Sequence, residues 1–393
     1  MKHLSCICSN KLRVESSFFI TPLIFSNLKD FRGKAEISSC SCGLVQKRKS
    51  SQYLRDLETA YSDYTESSFS ISGTTPLPVL EFGSKHESIA EWILRETLGN
   101  KAESSKLLDW GCGNLDLLLK IEEKSKDIKL ELFGYDKYTT PVNRPPSSRV
   151  QLIDINLDSK VKDVKFDYIS LIHTLEHFAD LDSELKSVSS FLKTNGKIFV
   201  QVPNLKTNPF DIYVADHLYH FTPSSIFNLL HSRGFEILDL NSRISKKEIS
   251  IVAKKNHVQF SRIDRSDIDK VNHLEPFYRL LSESWTRALI SLDQKSKLAI
   301  YGIGTAGTWF HRLARDLGIE ICFFIDDNKQ TSRYKFNDIP IIGNDALDGK
   351  IHPDIVILPF ETPLAIEKSL QLKRIGISSM YFDFDTNQIK IIH

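Results

Sequence analysis

Leu107-Leu108-Asp109-Trp110-Gly111-Cys112-Gly113-Asn114-Leu115 is the stretch on which the fold turns. Lys106–Asp109 reads as a buried strand, and Asp116 to Glu122 carries the pattern of a helix. Glycines between them permit a tight strand-to-helix turn and close approach of the backbone to a ligand. The next strand, Leu130–Tyr135, ends at Asp136, 27 residues after Asp109. A carboxylate there accepts hydrogen bonds from both hydroxyls of a ribose. The third glycine position holds Leu115, and Asp109 puts a negative charge where a phosphate would sit. Both features favour a ligand with a cationic or zwitterionic end over a dinucleotide.

Further strands are expected at Val150–Ile153, Tyr168–His173 and Lys197–Val202, with a closing antiparallel pair at Phe235–Asn241 and Ile249–Lys254. Between them, Asp180 to Leu192 places Leu181, Leu185, Val188, Phe191 and Leu192 on one helical face. Strand–helix alternation at this spacing means a parallel sheet covered by helices. A polar stretch, Asn256 to Asp269, reads as a linker, and a long helix is expected over about Ser266 to Leu292. The pattern then restarts, with strands at Lys297–Tyr301, Glu320–Ile325 and Asp354–Leu358. The fold class is therefore α/β: two Rossmann-like parallel-sheet domains (58–258 and 259–393, the latter including the helical linker) preceded by a small cysteine-bearing module (1–57).

The 393 residues include 51 Lys plus Arg against 50 Asp plus Glu, a formal net charge of +1. Without a basic surplus there is no global footprint for nucleic acid, and a small-molecule partner is expected. Phe18 to Phe25 is the most apolar early stretch, too short to span a bilayer and broken by Thr21 and Pro22, so no membrane insertion is expected. Six cysteines with no export signal lead to the expectation of reduced thiols in a cytoplasm. The sequence does not specify an oligomeric state.

Pro203-Asn204 ends the fifth strand, and Phe210-Asp211-Ile212-Tyr213-Val214-Ala215-Asp216-His217-Leu218-Tyr219-His220-Phe221-Thr222-Pro223 follows. Acids, histidines and aromatics just past a strand's carboxyl end fall on the edge where open parallel sheets hold ligands. Thr222-Pro223 then opens a helix as cap and first residue, and Gly234 closes it. Histidine takes up a proton near neutral pH when a carboxylate orients it. His217 is the candidate general base, with Asp216 or His177 as partner or alternative.

Asp-x-Gly-x-Gly at Asp109–Gly113, then Asp136, Phe166-Asp167-Tyr168-Ile169 and Leu175-Glu176-His177, resemble class I S-adenosylmethionine-dependent methyltransferases. That resemblance implies that Gly111, Gly113 and Asp109 hold the methionine part, Asp136 the ribose and Asp154 the adenine.

Cys6-Ile7-Cys8 and Cys40-Ser41-Cys42 are two close pairs 31 residues apart. Four thiolates brought together make a tetrahedral zinc site able to fold a segment too small for its own core. The usual knuckle spacing is one residue longer, and the alternative is plain reduced cysteines. The pairs, the Asp63-Tyr64 segment, His86 and the methyltransferase-like core together resemble three-part C-methyltransferases of nucleotide-linked deoxysugars. Those have a zinc-binding N-terminal module, a methyltransferase core and a Rossmann-like C-terminal domain. The resemblance implies a nucleotide-sugar substrate, with Tyr64, Tyr219 and His220 contacting it. The family's Tyr-x-Glu-His motif is matched by Val214-Ala215-Asp216-His217, with Asp for Glu, and His220 stands where the family has Tyr. Carbon or oxygen remains open as the methylated atom, as does an O-methyltransferase acting on another small molecule.

In the last domain, Gly302-Ile303-Gly304-Thr305-Ala306-Gly307 follows a strand and opens a helix, and Asp326 ends the next strand. By motif this is a full dinucleotide fingerprint, so an NAD-linked enzyme or sensor is a second reading. Within the resemblance, Gly302, Gly304 and Gly307 help hold the nucleotide sugar. Backbone amides at a helix start suit a diphosphate either way.

Overall fold

The computed structural model describes residues 17–40, 43–62, 82–97, 104–138, 145–155, 163–256, 273–293, 295–327, 334–348 and 352–393. The first part comprises β1 (Ser17–Ile20), the short pair β2 (Leu23–Ile24) and β3 (Asp30–Phe31), β4 (Ala35–Ser39), β5 (Val45–Lys47) and helix α1 (Ser51–Ser62). Next come α2 (Phe82–Thr97), β6 (Ser105–Trp110), α3 (Asp116–Lys124), β7 (Leu130–Tyr135), β8 (Gln151–Leu152) and β9 (Phe166–Ile172). They are followed by α4 (Leu181–Phe191), β10 (Leu192–Pro203), β11 (Tyr219–His220), α5 (Pro223–Ser232), β12 (Phe235–Asn241) and β13 (Glu248–Lys255). The last part runs α6 (Leu274–Ile290), β14 (Leu298–Tyr301), α7 (Thr305–Asp316), β15 (Ile321–Asp326), β16 (Lys335–Phe336) and β17 (Ile339–Gly343). It ends with β18 (Ile355–Leu358), α8 (Thr362–Arg374), β19 (Ser378–Asp383) and β20 (Gln388–Ile392).

The central sheet has the order β12-β13-β10-β9-β6-β7-β8. Its five strands from β10 to β8 are parallel, and β13 and β12 close one edge antiparallel. Leu107, Leu108, Ile169, Leu171, Ile198, Phe199 and Val200 are fully buried, as strands covered on both faces require. The chain passes outward from β6 to β8, then resumes at β9 on the other side of β6. The crevice that such sheets offer to ligands thus opens between the carboxyl ends of β6 and β9, where the Asp109–Gly113 loop lies. The third part repeats the arrangement with the order β16-β17-β15-β14-β18-β19-β20, parallel from β17 to β19. The molecule is mixed α/β with two parallel-sheet domains.

Local chemistry sets the element ends. Thr222 caps α5 through a reciprocal capping box with Ser225, and Pro223 occupies the first turn. Asp180 accepts from the Ser183 amide at the start of α4.

The early strands were not expected from the sequence, because their two-to-five-residue lengths leave little periodicity to read. They make an antiparallel sheet, β1-β4-β5-β11, whose last strand belongs to the middle of the chain. Gln46 lies opposite Tyr219, and Val45 opposite His220. The loop before β11 is held from the other side by the last part. Tyr213 packs against Trp309 at 4.7 Å between ring centroids, Phe210 lies 5.5 Å from Phe310, and the Tyr278 hydroxyl donates to the Pro209 carbonyl. Arg312 and Arg315 of α7 pair with Asp30. Fully burying aromatics of this size contributes about 1.5–3 kcal/mol each, so residues 209–220 are fixed between two packed surfaces. No helix among the described residues is long and apolar enough to cross a membrane.

Gly302 has φ +88°, and a Cβ on Gly307 would sit 2.0 Å from the Gly302 carbonyl oxygen. The third glycine of that loop is therefore a packing requirement. Gly307→Ala is expected to lower unfolding free energy by about 1–3 kcal/mol, read by urea denaturation; an unchanged midpoint would contradict the packing.

Candidate active site

Two adjoining cavities occupy the crevice. The first, about 180 Å³, is lined by Trp110, Gly111, Asp136, Lys137, Tyr138, Phe178 and Glu184 among others. Gly111 has φ +86°, and a Cβ there would lie 2.6 Å from Thr174 Oγ1, so only glycine fits. Gly113, at φ +48°, has open space where its Cβ would be. The Gly113 amide donates to Asp136 Oδ2 at 2.9 Å and the Tyr138 amide to Oδ1 at 2.9 Å. Two backbone donors hold Asp136 at the cavity wall, and a carboxylate has further lone pairs to offer. Asp109 is buried and accepts from the Ser170 hydroxyl at 2.7 Å. Burial pushes its carboxyl up to about 7 in spite of that hydrogen bond. Asp154 is exposed just past β8 and lines neither of these cavities.

The second cavity, about 450 Å³, meets the first at Ser26, Gly111, His173 and His177. It also reaches Lys85, His86, Asp109, Gly113, Asp211, His217, Glu248 and Thr305. His217 Nδ1 lies 2.6 Å from Asp211 Oδ1, and His220 Nδ1 lies 2.6 Å from Asp211 Oδ2. Against the cost of burial, the two imidazoles hold Asp211 far below the usual carboxylate range. The ionised carboxylate is an acceptor only, so both Nδ1 atoms carry hydrogen and Nε2 is the basic nitrogen of each ring. Burial opposes charging His217, but Asp211 outweighs it and raises the imidazole above its ordinary value.

The sequence offered Asp216 or His177 as the partner of His217; here the partner is Asp211. Asp216 instead accepts from the Ser26 amide at 2.9 Å and the Ser26 hydroxyl at 2.6 Å. His177 stacks edge-on to His217, centroids 4.7 Å apart, and its Nδ1 lies 3.1 Å from the Asp216 carbonyl oxygen. Tyr219 and His220 stand behind the cavity. The Tyr219 hydroxyl accepts from Lys49 at 2.6 Å, and His220 is fully buried. Gly302, Gly304 and Gly307 turn into α7, whose first residue, Thr305, borders the second cavity. Tyr64, Cys6, Cys8 and Cys42 lie outside the described residues. Cys40 is buried at a turn closed by Gly43, whose amide donates to the Cys40 carbonyl.

Several polar residues escaped the sequence reading. His173 follows β9 at φ +52°, in a region few non-glycine residues occupy, and stands between Glu176 and Glu248, with Lys85 on Glu248. The two carboxylates overcome burial and Lys85 to raise His173 to about 9. Asp211 was visible in the same run as His217, but it lies in the short turn Pro209–Tyr213, and six and nine residues to the two histidines fit no single helix or strand period. Lys47 lies 167 or more residues from its partners, beyond any local signal.

Because Asp109 is held up to about 7 against an ordinary 3.8, the folded chain binds more protons than the unfolded one between those values, and stability falls as pH rises through them. Asp109→Asn, which keeps an acceptor for Ser170, is expected to gain more stability at pH 8 than at pH 5. Equal gains at both pH values, in urea titrations, would contradict the buried charge.

Residues 70–240 match the family model of a methyltransferase domain. A ubiquinone biosynthesis O-methyltransferase of Pelagibacter ubique is 24% identical over 192 residues, 46% of this chain and 68% of that protein. The C-methyltransferase NovU of Streptomyces niveus is 33% identical over 70 residues, 17% of each. Among solved structures, the 1,6-didemethyltoxoflavin-N1-methyltransferase of Burkholderia thailandensis matches with a TM-score of 0.36 at 17% identity, over 56% of this chain and 96% of that one. With a methyltransferase domain matched over the strand–glycine-loop crevice, the chain is a methyltransferase of the S-adenosylmethionine-dependent kind.

Proposed function

We propose that this enzyme methylates a sugar, carried on a nucleotide, with His217 as general base. The observation that carries the reading is the meeting of the two cavities. One has Trp110, Gly111 and Asp136; the other shares Gly111, adds Asp109 and Gly113, and has His217 on one wall and Thr305, at the start of α7, on another, so that the glycine loop and Asp136 together make a cradle fitted to S-adenosylmethionine. Bound S-adenosylmethionine supplies an electrophilic methyl group on a sulfonium leaving group. The chain's part is to orient the acceptor and take its proton. Asp109, Gly111 and Gly113 would hold the amino-acid end, and Asp136 the ribose. Asp154 is the candidate for the adenine side. His217 Nε2 would remove a proton from a hydroxyl, or from the carbon beside a ketone. Tyr219 and His220 bear on this only through the loop they hold, and Tyr64 is a further substrate contact. The free amides of Gly304 and Thr305, at the positive end of the α7 dipole, suit a diphosphate.

NovU, a C-methyltransferase by name, favours carbon, and the ubiquinone enzyme, an O-methyltransferase by name, favours oxygen. Methyl-¹³C-labelled S-adenosylmethionine and a panel of nucleotide-linked keto- and hydroxysugars, with product NMR, separate the two. His217→Ala is expected to lower kcat about 10²–10⁴-fold while leaving S-adenosylmethionine affinity unchanged. Tight NADH binding at the Gly302 loop, with no methylation of any panel member, would overturn the reading in favour of nicotinamide chemistry.

Structural zinc on Cys6, Cys8, Cys40 and Cys42 belongs to the same reading. Metal analysis is expected to find one zinc per chain, lost in Cys40→Ser; a wild-type protein without metal would remove the zinc site from the account.

A further inference from the structure

His217 works as a base only if its ring is neutral before the proton arrives, and Asp211 pulls against that by favouring the imidazolium. The second imidazole on Asp211 leads to a counterweight. His220 Nε2 lies 3.0 Å from Lys47 Nζ, and the same ammonium donates to the carbonyl oxygens of Val214 and His217, each at 2.7 Å. Lys47 comes from β5 of the N-terminal sheet and is 1% exposed. With Lys47 charged, the direction of every link follows. An ammonium only donates, so His220 Nε2 accepts; its Nδ1–H then donates to Asp211, and Asp211 accepts from His217 Nδ1–H. A buried chain thus runs from Lys47 through His220 and Asp211 to His217, closed from solvent at one end and open to the cavity at the other.

We infer that Lys47 is a positioning residue that tunes the proton affinity of His217, drawing on Asp211 through His220 so that the ring holds its proton less tightly than Asp211 alone would make it. This rests on the reading of His217 as base. Other groups face His217 as well. Glu176 and His177 come from the turn after β9, and Asp216 precedes His217 on its own loop. The three carboxylates Asp211, Glu176 and Asp216 favour its charged form, and His177 opposes it. Lys47 is a cation placed against that acidic surround. Burial brings it down to about 7 despite the pull of Asp211 and Asp216, so the charge it sets against that surround is itself lost near neutral pH. His220, lowered to about 4 by burial and Lys47, stays neutral between them.

The test is an NMR titration of the His217 ring in the full-length enzyme with labelled histidine. In Lys47→Met the His217 pKa is expected to rise by about one unit, the size expected for removing a nearby cation from a partly screened interior, whereas Lys47→Arg stays near the wild type. The acid limb of the kcat/KM profile for methyl transfer should move by the same amount. An unchanged His217 pKa in Lys47→Met overturns the inference, as does an equal shift in Lys47→Arg, or activity slowed to the same degree at every pH. A shifted NMR pKa with an unmoved rate profile leaves the coupling standing and overturns instead the reading of His217 as base. If Lys47→Met does not fold, ¹⁵N-labelled lysine in the wild type decides. Titration of Lys47 accompanied by a second step in the His217 curve supports the coupling; titration with no response at His217 overturns it.

Discussion

One buried carboxylate, Asp211, is shared by two imidazoles at 2.6 Å each, and the site's geometry depends on it. Removing an ion from water costs several kcal/mol, repaid only when its hydrogen-bonding capacity is filled with good geometry. Here both carboxylate oxygens are engaged, one by the ring on the cavity wall and the other by the ring behind it. The arrangement fixes the tautomer of each histidine and hence which nitrogen faces a substrate. It also explains why residues 209–220 cannot be a loose loop. A half-satisfied Asp211 would leave a buried charge uncompensated, at a cost of about 3–5 kcal/mol.

The rest of the molecule supplies the walls that keep that loop in place. On one side, Tyr219 and His220 complete an antiparallel sheet begun by the first fifty residues, and Lys47 from that sheet reaches the loop carbonyls. On the other, the aromatics Trp309 and Phe310 of α7 press on Phe210 and Tyr213. The central sheet contributes the crevice, with the glycine loop of β6 facing the end of β9. Three segments far apart in sequence therefore meet at one histidine, and a domain matched over residues 70–240 alone does not contain the whole of its surroundings.

The parts legible in the sequence are those with local signals. Long buried strands, the glycine turn with Asp136 after it, the Thr222-Pro223 helix start and the second glycine fingerprint all stand where period and turn chemistry put them. His217 was legible because a histidine run after a strand's carboxyl end falls on the ligand edge of such a sheet. Its partner was not. Asp216 adjoins His217 in sequence, yet the backbone turns it toward Ser26, and Asp211 arrives from a turn that only tertiary packing forms. Lys47, Lys85 and Glu248 belong to the same class: each meets the site through contacts far away in sequence, which no pattern within one segment reports. The short N-terminal strands were hidden for a related reason, since two to five residues completed by a distant strand carry no period of their own.

Asp211 is the source of both the tautomer and the orientation of His217. The most direct test of this is the methyl-transfer rate of Asp211→Asn, whose amide nitrogen cannot accept from a ring N–H, measured beside the wild type with S-adenosylmethionine affinity determined on both. The expected result is a fall in kcat of at least about 10²-fold with cofactor affinity retained; a variant that transfers methyl groups at the wild-type rate would contradict it.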